Sequence, residues 1–430
     1  MLIRIAFLVF PLAAIAADWP QYRGPNRDDV SLETGLLKAW PAGGPGLLWT
    51  FTDAGVGYSG PAIVDERLFL TGGRGDKEFL FALDLKSIRD GTVRELWAVE
   101  IGPLFEFKSN KWSAGPSATP TVDGDRVFAV GGNGDLVCVD ITSGKAVWRV
   151  NMPKDLGGQV NPIGGGPRDL GWGFTASPLV DGDQLVCLPG GSKGTVAALD
   201  KKTGKVLWRS TELKDQAAYT SPMMTKIAGV KQYVILMNPG LAGVGTDGKL
   251  LWNYRRKQAY GTEVINSPVV EGGMIYTTVA AGNGASEGIK VVRDAGMWAF
   301  ALVYSNKNLL NHHGNVVRVG DYIYGNDQRA GWVCQNFANG EIAWSERKLP
   351  SGAITFADGR LYCYTEGDGT AALVEASEKG WKEHGRFKIP MQSKLKQPLG
   401  KIWTPPVVSG GRLFLRDQEL LYCYDVSAKK

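Results

Sequence analysis

Short apolar runs alternate with tight polar turns along most of the chain, and this alternation recurs as a long repeat. Two copies align throughout, SATPTVDGDRVFAVGGNGDLVCVDITSGKAVW at 117–148 and SPLVDGDQLVCLPGGSKGTVAALDKKTGKVLW at 177–208. Both contain an apolar pair, a VDGD turn, a Gly-rich turn, an apolar run ending in Asp and a terminal Gly-Lys-x-x-Trp. Period-two runs bounded by Gly and Asp predict strands and hairpins, so each copy predicts four short strands.

Weaker copies of the repeat extend it over the rest of the chain. They begin at Gly60, Ser221, Ser267, Gly314, Ile354 and Pro405. Repeats of this length, each with four strands, are typical of a β-propeller. We therefore predict an all-β fold, an eight-bladed β-propeller of four-stranded antiparallel blades.

The two ends of the repeat predict how the ring closes. The last copy supplies only about three strands before Lys430, whereas the apolar strand LLWTF at 47–51 precedes the first copy without a unit of its own. We expect this N-terminal strand to become the outer strand of the last blade, because a closed ring leaves no open sheet edge. The predicted propeller domain spans 47–430, and an N-terminal extension spans 18–46.

Composition and charge narrow the classes of partner. The chain has 48 Lys and Arg against 43 Asp and Glu, and a net charge of +5 is too small to indicate nucleic acid as a partner. Five cysteines lie in strand-like runs at differing repeat positions, so we expect buried free thiols rather than a disulfide framework. We expect a monomer.

The N-terminal residues predict the cellular location of the protein. Residues 1–17, MLIRIAFLVFPLAAIAA, combine one basic residue, an apolar stretch and a small-residue end, which is typical of a signal peptide. The stretch is too short to span a membrane, and no cysteine precedes Cys138 to carry a lipid anchor. We therefore expect a periplasmic or secreted protein without stable membrane insertion.

A tryptophan recurs on the predicted outer strand of successive copies, where neighbouring blades would pack. Trp97, Trp148, Trp208, Trp252 and Trp344 hold this place. The pattern, as in AALDKKTGKVLW, resembles the tryptophan-docking repeat of the pyrroloquinoline-quinone-like propellers. That superfamily includes quinoprotein alcohol dehydrogenases and cofactor-free members such as the outer-membrane assembly lipoprotein propeller. The resemblance implies a fold but leaves activity open.

The loops predict where a ligand would bind. Turns such as VDGD and KTGK on one face are short, whereas the other face carries the long segments 99–116, 151–174, 280–290 and 388–403. Variable loops on a rigid scaffold usually carry function. On this long-loop face, the residue entering the innermost strand of each copy lies near the axis. Across the copies these residues are Tyr58, Ser117, Thr175, Tyr219, Ile265, His313, Ser351 and Trp403.

From this face we select eight candidate ligand-binding residues at the mouth of the propeller. They are Tyr58, Trp112, Trp172, Tyr219, Glu263, Asn266, His313 and Trp403. Tyr, His and Trp suit a neutral polar or aromatic ligand. His312 and His313 are adjacent, and side chains of neighbours on an extended segment point to opposite faces, so we predict no metal site.

Two functional hypotheses remain open. The first is a binding or scaffold module whose long-loop face recognises a protein, peptide or polysaccharide. The second, implied by the resemblance, is a dehydrogenase that uses pyrroloquinoline quinone with calcium to oxidise an alcohol or sugar. In it a tryptophan would lie under the quinone, and Glu263 and Asn266 would supply oxygen ligands. The chain lacks the adjacent cysteine pair often found in quinoprotein dehydrogenases, which favours the first hypothesis.

Overall fold

Eight antiparallel sheets form a ring in the computed structural model, which describes residues 18–162 and 170–428. The predicted eight-bladed propeller is confirmed. In blades one to seven the strands are hydrogen-bonded in chain order from the axis outward, whereas the outermost strand of blade eight comes from the N-terminal side of blade one. The predicted signal peptide lies outside the described residues and stays a prediction.

Blades one to four follow the first four copies of the repeat. Blade one contains β3 (Ala62–Val64), β4 (Arg67–Arg74), β5 (Lys77–Arg89) and β6 (Thr92–Pro103). Blade two contains β7 (Thr121–Asp123), β8 (Arg126–Val130), β9 (Asp135–Asp140) and β10 (Ala146–Asn151). Blade three contains β11 (Leu179–Asp181), β12 (Gln184–Cys187), β13 (Ala197–Asp200) and β14 (Val206–Arg209). Blade four contains β15 (Met223–Ile227), β16 (Val230–Met237), β17 (Gly240–Gly245) and β18 (Leu250–Arg255).

Blades five to eight complete the ring. Blade five contains β19 (Val269–Glu271), β20 (Met274–Thr278), β21 (Ser286–Asp294) and β22 (Met297–Asn306). Blade six contains β23 (Val316–Val319), β24 (Tyr322–Asp327), β25 (Gly331–Asn336) and β26 (Ile342–Glu346). Blade seven contains β27 (Gly352–Ala357), β28 (Arg360–Thr365), β29 (Thr370–Glu375) and β30 (Glu383–Lys388). Blade eight contains β31 (Val407–Ser409), β32 (Arg412–Asp417) and β33 (Leu420–Asp425).

An N-terminal strand closes the ring, as predicted. Strand β2 (Gly46–Phe51) pairs antiparallel with β33, with Thr50 opposite Tyr422, and so becomes the fourth strand of blade eight. Trp49 is buried there and packs against Phe414. A still earlier strand, β1 (Val30–Ser31), pairs parallel with β27 and adds a fifth strand to blade seven.

The recurrent tryptophans join neighbouring blades. Trp97 donates its indole N–H to the carbonyl of Ile141 in the next blade at 3.3 Å, and Trp148 donates to Lys201 O at 3.0 Å. The indole rings lie against the glycines of the following Gly-Lys turns. Buried apolar side chains fill the layers between blades rather than one central core. All five cysteines are buried and free, as expected.

Recurrent serines set the spacing of blades at the axis. The Oγ of Ser177 accepts from Thr119 N, that of Ser221 from Ser177 N, and that of Ser267 from Ser221 N, each at 2.9 Å. Each bond crosses from one blade to the next, so the Ser-Pro pairs form a chain of hydrogen bonds from blade two to blade five.

Two of the predicted long loops are shorter than expected. Strand β6 runs to Pro103, and the first five residues of β21, 286–290, fall within the segment predicted as a loop at 280–290. A turn at Gly296 joins β21 to β22, so blade five has its full four strands. After β10, the described residues include one short helix, α1 (Met152–Leu156), capped by Asn151.

Candidate functional site

A concave cavity of about 560 Å³ occupies the mouth of the channel on the long-loop face. Seven of the eight predicted strand-entry positions line it, namely Tyr58, Ser117, Thr175, Tyr219, Ile265, His313 and Trp403. Ser351 lies instead in a separate depression beside Arg347. Its strand, β27, begins at the next residue, so Ser351 does not reach the mouth.

Trp403 and His313 form a stacked pair in the cavity. Their ring centroids lie 4.4 Å apart with an interplanar angle of 14°. The indole N–H of Trp403 donates to Glu366 Oε2 at 3.1 Å, which fixes the orientation of the ring. Glu366 is itself paired with Lys401. The pair is therefore a rigid aromatic surface that is held in place before any ligand arrives.

Both histidines line the cavity, which the sequence analysis did not expect. The rings of His312 and His313 lie 4.1 Å apart, so the prediction that they point to opposite faces is wrong. The reason is local, because residues 307–315 are irregular rather than extended. Burial lowers the pKa of His312 and lowers that of His313 further, so both rings are neutral at physiological pH.

Tyr58 and Tyr219 hold the walls of the cavity. The Tyr58 hydroxyl donates to Trp112 O at 3.0 Å. The Tyr219 hydroxyl donates to Asn161 O at 2.8 Å and accepts from Trp172 N at 3.1 Å. Burial raises the pKa of Tyr58 to about 12, so the phenol keeps its proton. The two tyrosine hydroxyls thus hold the backbone of Trp112 and Trp172 in place.

The wall itself consists of aromatic side chains from two long loops. Trp112 and Trp172 meet edge to face with centroids 5.6 Å apart, and Phe107 lies 6.2 Å from Trp172. Trp112 is 42% exposed and forms the outer rim. The Leu399 N–H donates to Lys111 O at 2.8 Å, which joins a third long loop to this wall. Part of the predicted loop at 151–174 lies outside the described residues.

Of the two predicted polar residues Glu263 and Asn266, only Glu263 lies in the cavity. Glu263 lines the cavity, and within residues 18–162 and 170–428 its carboxylate has no hydrogen-bond or salt-bridge partner. Asn266 does not line the cavity, because it is buried behind the wall with 2% exposure. Its amide donates to Asn311 O at 2.8 Å, so it supports the segment that carries the histidines.

The floor of the cavity comes from the N-terminal extension, which the sequence analysis did not place. Trp19, Tyr22, Arg23 and Asp29 line it from below. Arg23 is buried in a salt bridge with Asp29 and donates to Val316 O at 2.7 Å. The sequence feature that could have indicated this floor is the presence of two arginines, Arg23 and Arg27, in a segment outside the repeat. We refer to residues 18–31 as the plug.

Pyrroloquinoline quinone with calcium does not fit this lining. The quinone is a polycarboxylate, which needs cationic partners. Among described residues, Arg23 is the one Lys or Arg in the lining, and its guanidinium is already paired with Asp29. No group of three His, Cys, Asp or Glu in the described part of the chain is placed to hold a metal ion. Glu263 and Asn266 do not converge on one site, contrary to the quinoprotein hypothesis.

The fold and site define a β-propeller with an aromatic-lined axial cavity. Residues 82–346 match the family described as outer membrane protein assembly factor BamB. The match covers more than half of the 430 residues, and the chain belongs to this family. This agrees with the resemblance to pyrroloquinoline-quinone-like propellers. None of the curated proteins matches the chain.

Natural and designed proteins of known structure share the fold. A quinohemoprotein alcohol dehydrogenase from Comamonas testosteroni superposes with a TM-score of 0.63 at 12% identity, over 96% of this chain and 81% of that chain. Sqt1 from Saccharomyces cerevisiae gives 0.58 at 9% identity, over 89% and 99%. The computationally designed Ika8 gives 0.56 at 11%, over 89% and 100%. At such low identity the likeness establishes the fold alone.

Proposed function

We propose that this protein is a binding or scaffold module that recognises its partner through the long-loop face. One observation carries the proposal. Seven strand-entry residues and three long loops converge on one concave, aromatic cavity, and the plug forms its floor and bonds to the inner strands of the ring. Concave sites lined by aromatic groups with a few polar groups are typical ligand sites.

Binding needs only what the cavity contains. Trp403 and His313 provide a fixed flat surface, and Trp112 provides an exposed edge at the rim. A dehydrogenase would in addition need groups that hold the quinone, and the lining residues do not fit that cofactor. We therefore do not propose the enzymatic alternative.

The proposed partner is a protein, peptide or polysaccharide, of which one end group or side chain enters the cavity. The family description, an outer membrane protein assembly factor, favours a protein. Rim residues such as Trp112 and Leu399 are exposed apolar groups that a larger partner would cover. We propose that the chain itself is a monomer, as expected from the sequence.

The proposed location is the periplasm or the cell exterior. It rests on the predicted signal peptide at residues 1–17. Within the described residues, no helix has the length and apolar character needed to cross a membrane.

A ligand screen with matched variants tests the proposal. The purified protein is screened by thermal shift and tryptophan fluorescence against arrayed peptides, oligosaccharides and small organic molecules. We expect hits to lose about 30-fold in affinity in Trp403→Leu, the size expected for a buried aromatic anchor. Lys202→Ala, an exposed change in a turn of the opposite face, is the control. Hits lost in the control and kept in Trp403→Leu would overturn the proposal.

A second measurement addresses the rejected alternative. The protein is mixed with pyrroloquinoline quinone and calcium, and its absorbance and dye-linked oxidation of alcohols are followed. We expect no stoichiometric spectral shift. A shift that is abolished by Trp403→Leu would restore the dehydrogenase hypothesis.

A further inference from the structure

The charges of the cavity point to the chemistry of its ligand. Three charged side chains line it among the described residues, namely Arg23, Asp29 and Glu263. Burial raises the pKa of Asp29 to about 6, against the opposing effect of Arg23. At neutral pH Asp29 is therefore ionised and balances the guanidinium of Arg23.

The remaining charge in the lining is Glu263. Its carboxylate has no hydrogen-bond or salt-bridge partner in the part of the chain that the structure describes. The nearby histidines are neutral, and Lys401 is paired with Glu366 outside the lining. Lys108 and Lys111 of the wall loop are exposed and do not line the cavity. Among residues 18–162 and 170–428, the lining thus carries one negative charge without a counter-ion.

The surfaces around this charge are aromatic. In the part of the chain that the structure describes, eight Trp, Tyr and Phe side chains line the cavity. They are Trp19, Tyr22, Tyr58, Phe107, Trp112, Trp172, Tyr219 and Trp403. The faces of aromatic rings are negative, and they attract cations, most strongly where water is excluded. An aromatic cage with one carboxylate is the arrangement that recognises ammonium groups. An anionic ligand would meet repulsion from both components.

We propose that the cavity binds an organic ammonium group, with Glu263 as its counter-ion and the Trp403 and Trp172 rings as cation–π partners. The inference rests on the proposed function, since it names the chemistry of the group that enters the long-loop face. Two sources carry this chemistry, a free small amine and the lysine side chain or amino terminus of a protein. The probes below separate them.

Three aromatic probes of similar size and different charge provide the test. Benzylamine is a cation at pH 7, benzyl alcohol is neutral and benzoate is an anion. Binding is measured by isothermal titration at low ionic strength. We expect benzylamine to bind about tenfold or more tightly than benzyl alcohol, and benzoate to bind most weakly. A second pair, Nα-acetyl-lysine amide and its Nε-acetylated form, tests the protein source in the same way.

Matched variants test which residues cause the preference for the amine. Glu263→Gln should remove the preference for the amine and leave benzyl alcohol unchanged. Glu106→Gln, an exposed carboxylate on the wall loop, should behave as wild type. Trp403→Leu should weaken all probes, and Trp172→Leu is the second variant if Trp403→Leu does not fold.

The outcomes separate the two proposals. If benzyl alcohol binds as tightly as benzylamine and both are lost in Trp403→Leu, the ammonium inference fails and the cavity stands as the binding site. If the amine preference survives in Glu263→Gln, the inference also fails. If binding is unaffected by both Trp403→Leu and Trp172→Leu, the proposed function fails as well. No binding of either amine to the wild type overturns the ammonium inference.

Discussion

At the scale of single residues, a tryptophan on the outer strand of one blade packs against a glycine in a turn of the next blade. This contact recurs in successive copies of the repeat. Gly204 has a φ of 73°, and a Cβ built there would lie 2.8 Å from the ring of Trp148. Gly182, in a VDGD turn, has a φ of 61°, and no atom lies within 4 Å of its Cβ position. The two glycines share a positive φ, which would strain any residue with a Cβ, and they differ in contact with a neighbour.

The comparison of Gly204→Ala with Gly182→Ala measures the contact directly. Alanine at positive φ costs about 1–2 kcal/mol at either site. Overpacking against Trp148 should add about 1–3 kcal/mol in Gly204→Ala alone. Urea denaturation of both variants gives the difference. Equal losses would mean that the glycine serves only the turn and that the indole can move aside.

A buried carboxyl group under the wall loop gives a pH-dependent stability. Glu78 is 1% exposed, and its carboxyl accepts from Phe105 N at 3.1 Å and Gly132 N at 2.8 Å. Burial raises its pKa to about 7, and the backbone hydrogen bonds oppose this in part. Since the folded pKa exceeds the unfolded one, the contribution of Glu78 is fully present below about pH 4.5 and is lost as the pH rises through 7.

We expect the stability difference between wild type and Glu78→Gln to change with pH. The glutamine does not ionise, so the wild type should lose about 1–3 kcal/mol relative to the variant between pH 4.5 and 8. Urea denaturation across this range measures it. Glu106→Gln controls for the loop, because its side chain is exposed. If the stability difference between wild type and Glu78→Gln does not vary with pH, the pKa of Glu78 does not change when the protein folds.

At the scale of elements, the strands could be predicted where the same turn sequences recur from copy to copy. The VDGD and Gly-Lys turns fix hairpin ends, so blades two and three match the repeat closely. Blade five lacks a Gly-Lys-x-x-Trp, so no such turn marks its third strand, and the loop predicted at 280–290 overlaps the first five residues of β21. The opposite orientation predicted for His312 and His313 failed for a related reason, since alternation applies only to extended backbone.

Ring closure by β2 gives a test at this scale. Deletion of residues 18–51 removes the partner of β33 and exposes an unpaired edge together with Phe414. We expect this protein to aggregate, because open apolar edges pair with one another. Size-exclusion chromatography and light scattering measure the outcome.

Deletion of residues 18–31 alone is the control for ring closure. It leaves β2 in place, and the backbone carbonyls freed in the channel can be hydrated, so the ring should stay soluble with a lower melting temperature. A soluble monomer from the longer deletion would show that the ring does not need β2 for closure.

At the scale of the whole molecule, the position of the cavity was predictable and its floor was not. The repeat register alone brought the strand-entry residues to the axis, because every blade has the same geometry. The plug has no such register. Arg27 donates to the carbonyls of Ser177 and Pro178, and Arg23 to that of Val316. Every residue has a backbone carbonyl, so the sequence does not show which carbonyls accept from these arginines.

The plug joins blades that are distant in the chain. Trp19 bridges to Ile63 in blade one, the Val122 N–H of blade two donates to Pro20 O, and Ser31 donates to Val408 O in blade eight. With the arginine contacts to blades three and six, one short segment holds the inner strands of most of the ring. The Arg23–Asp29 pair lies at its centre and is buried on both sides.

We expect Arg23→Met to lose about 3–5 kcal/mol of stability, because it leaves Asp29 buried without its partner. The double change Arg23→Met with Asp29→Asn should recover part of this loss, since asparagine carries no charge and, like aspartate, tolerates the left-handed backbone at position 29 (φ 60°). Urea denaturation of the two single variants and the double variant completes the cycle. If the double variant is as unstable as the sum of the single ones, the backbone contacts of Arg23 to the ring, rather than its charge, hold the plug in the channel.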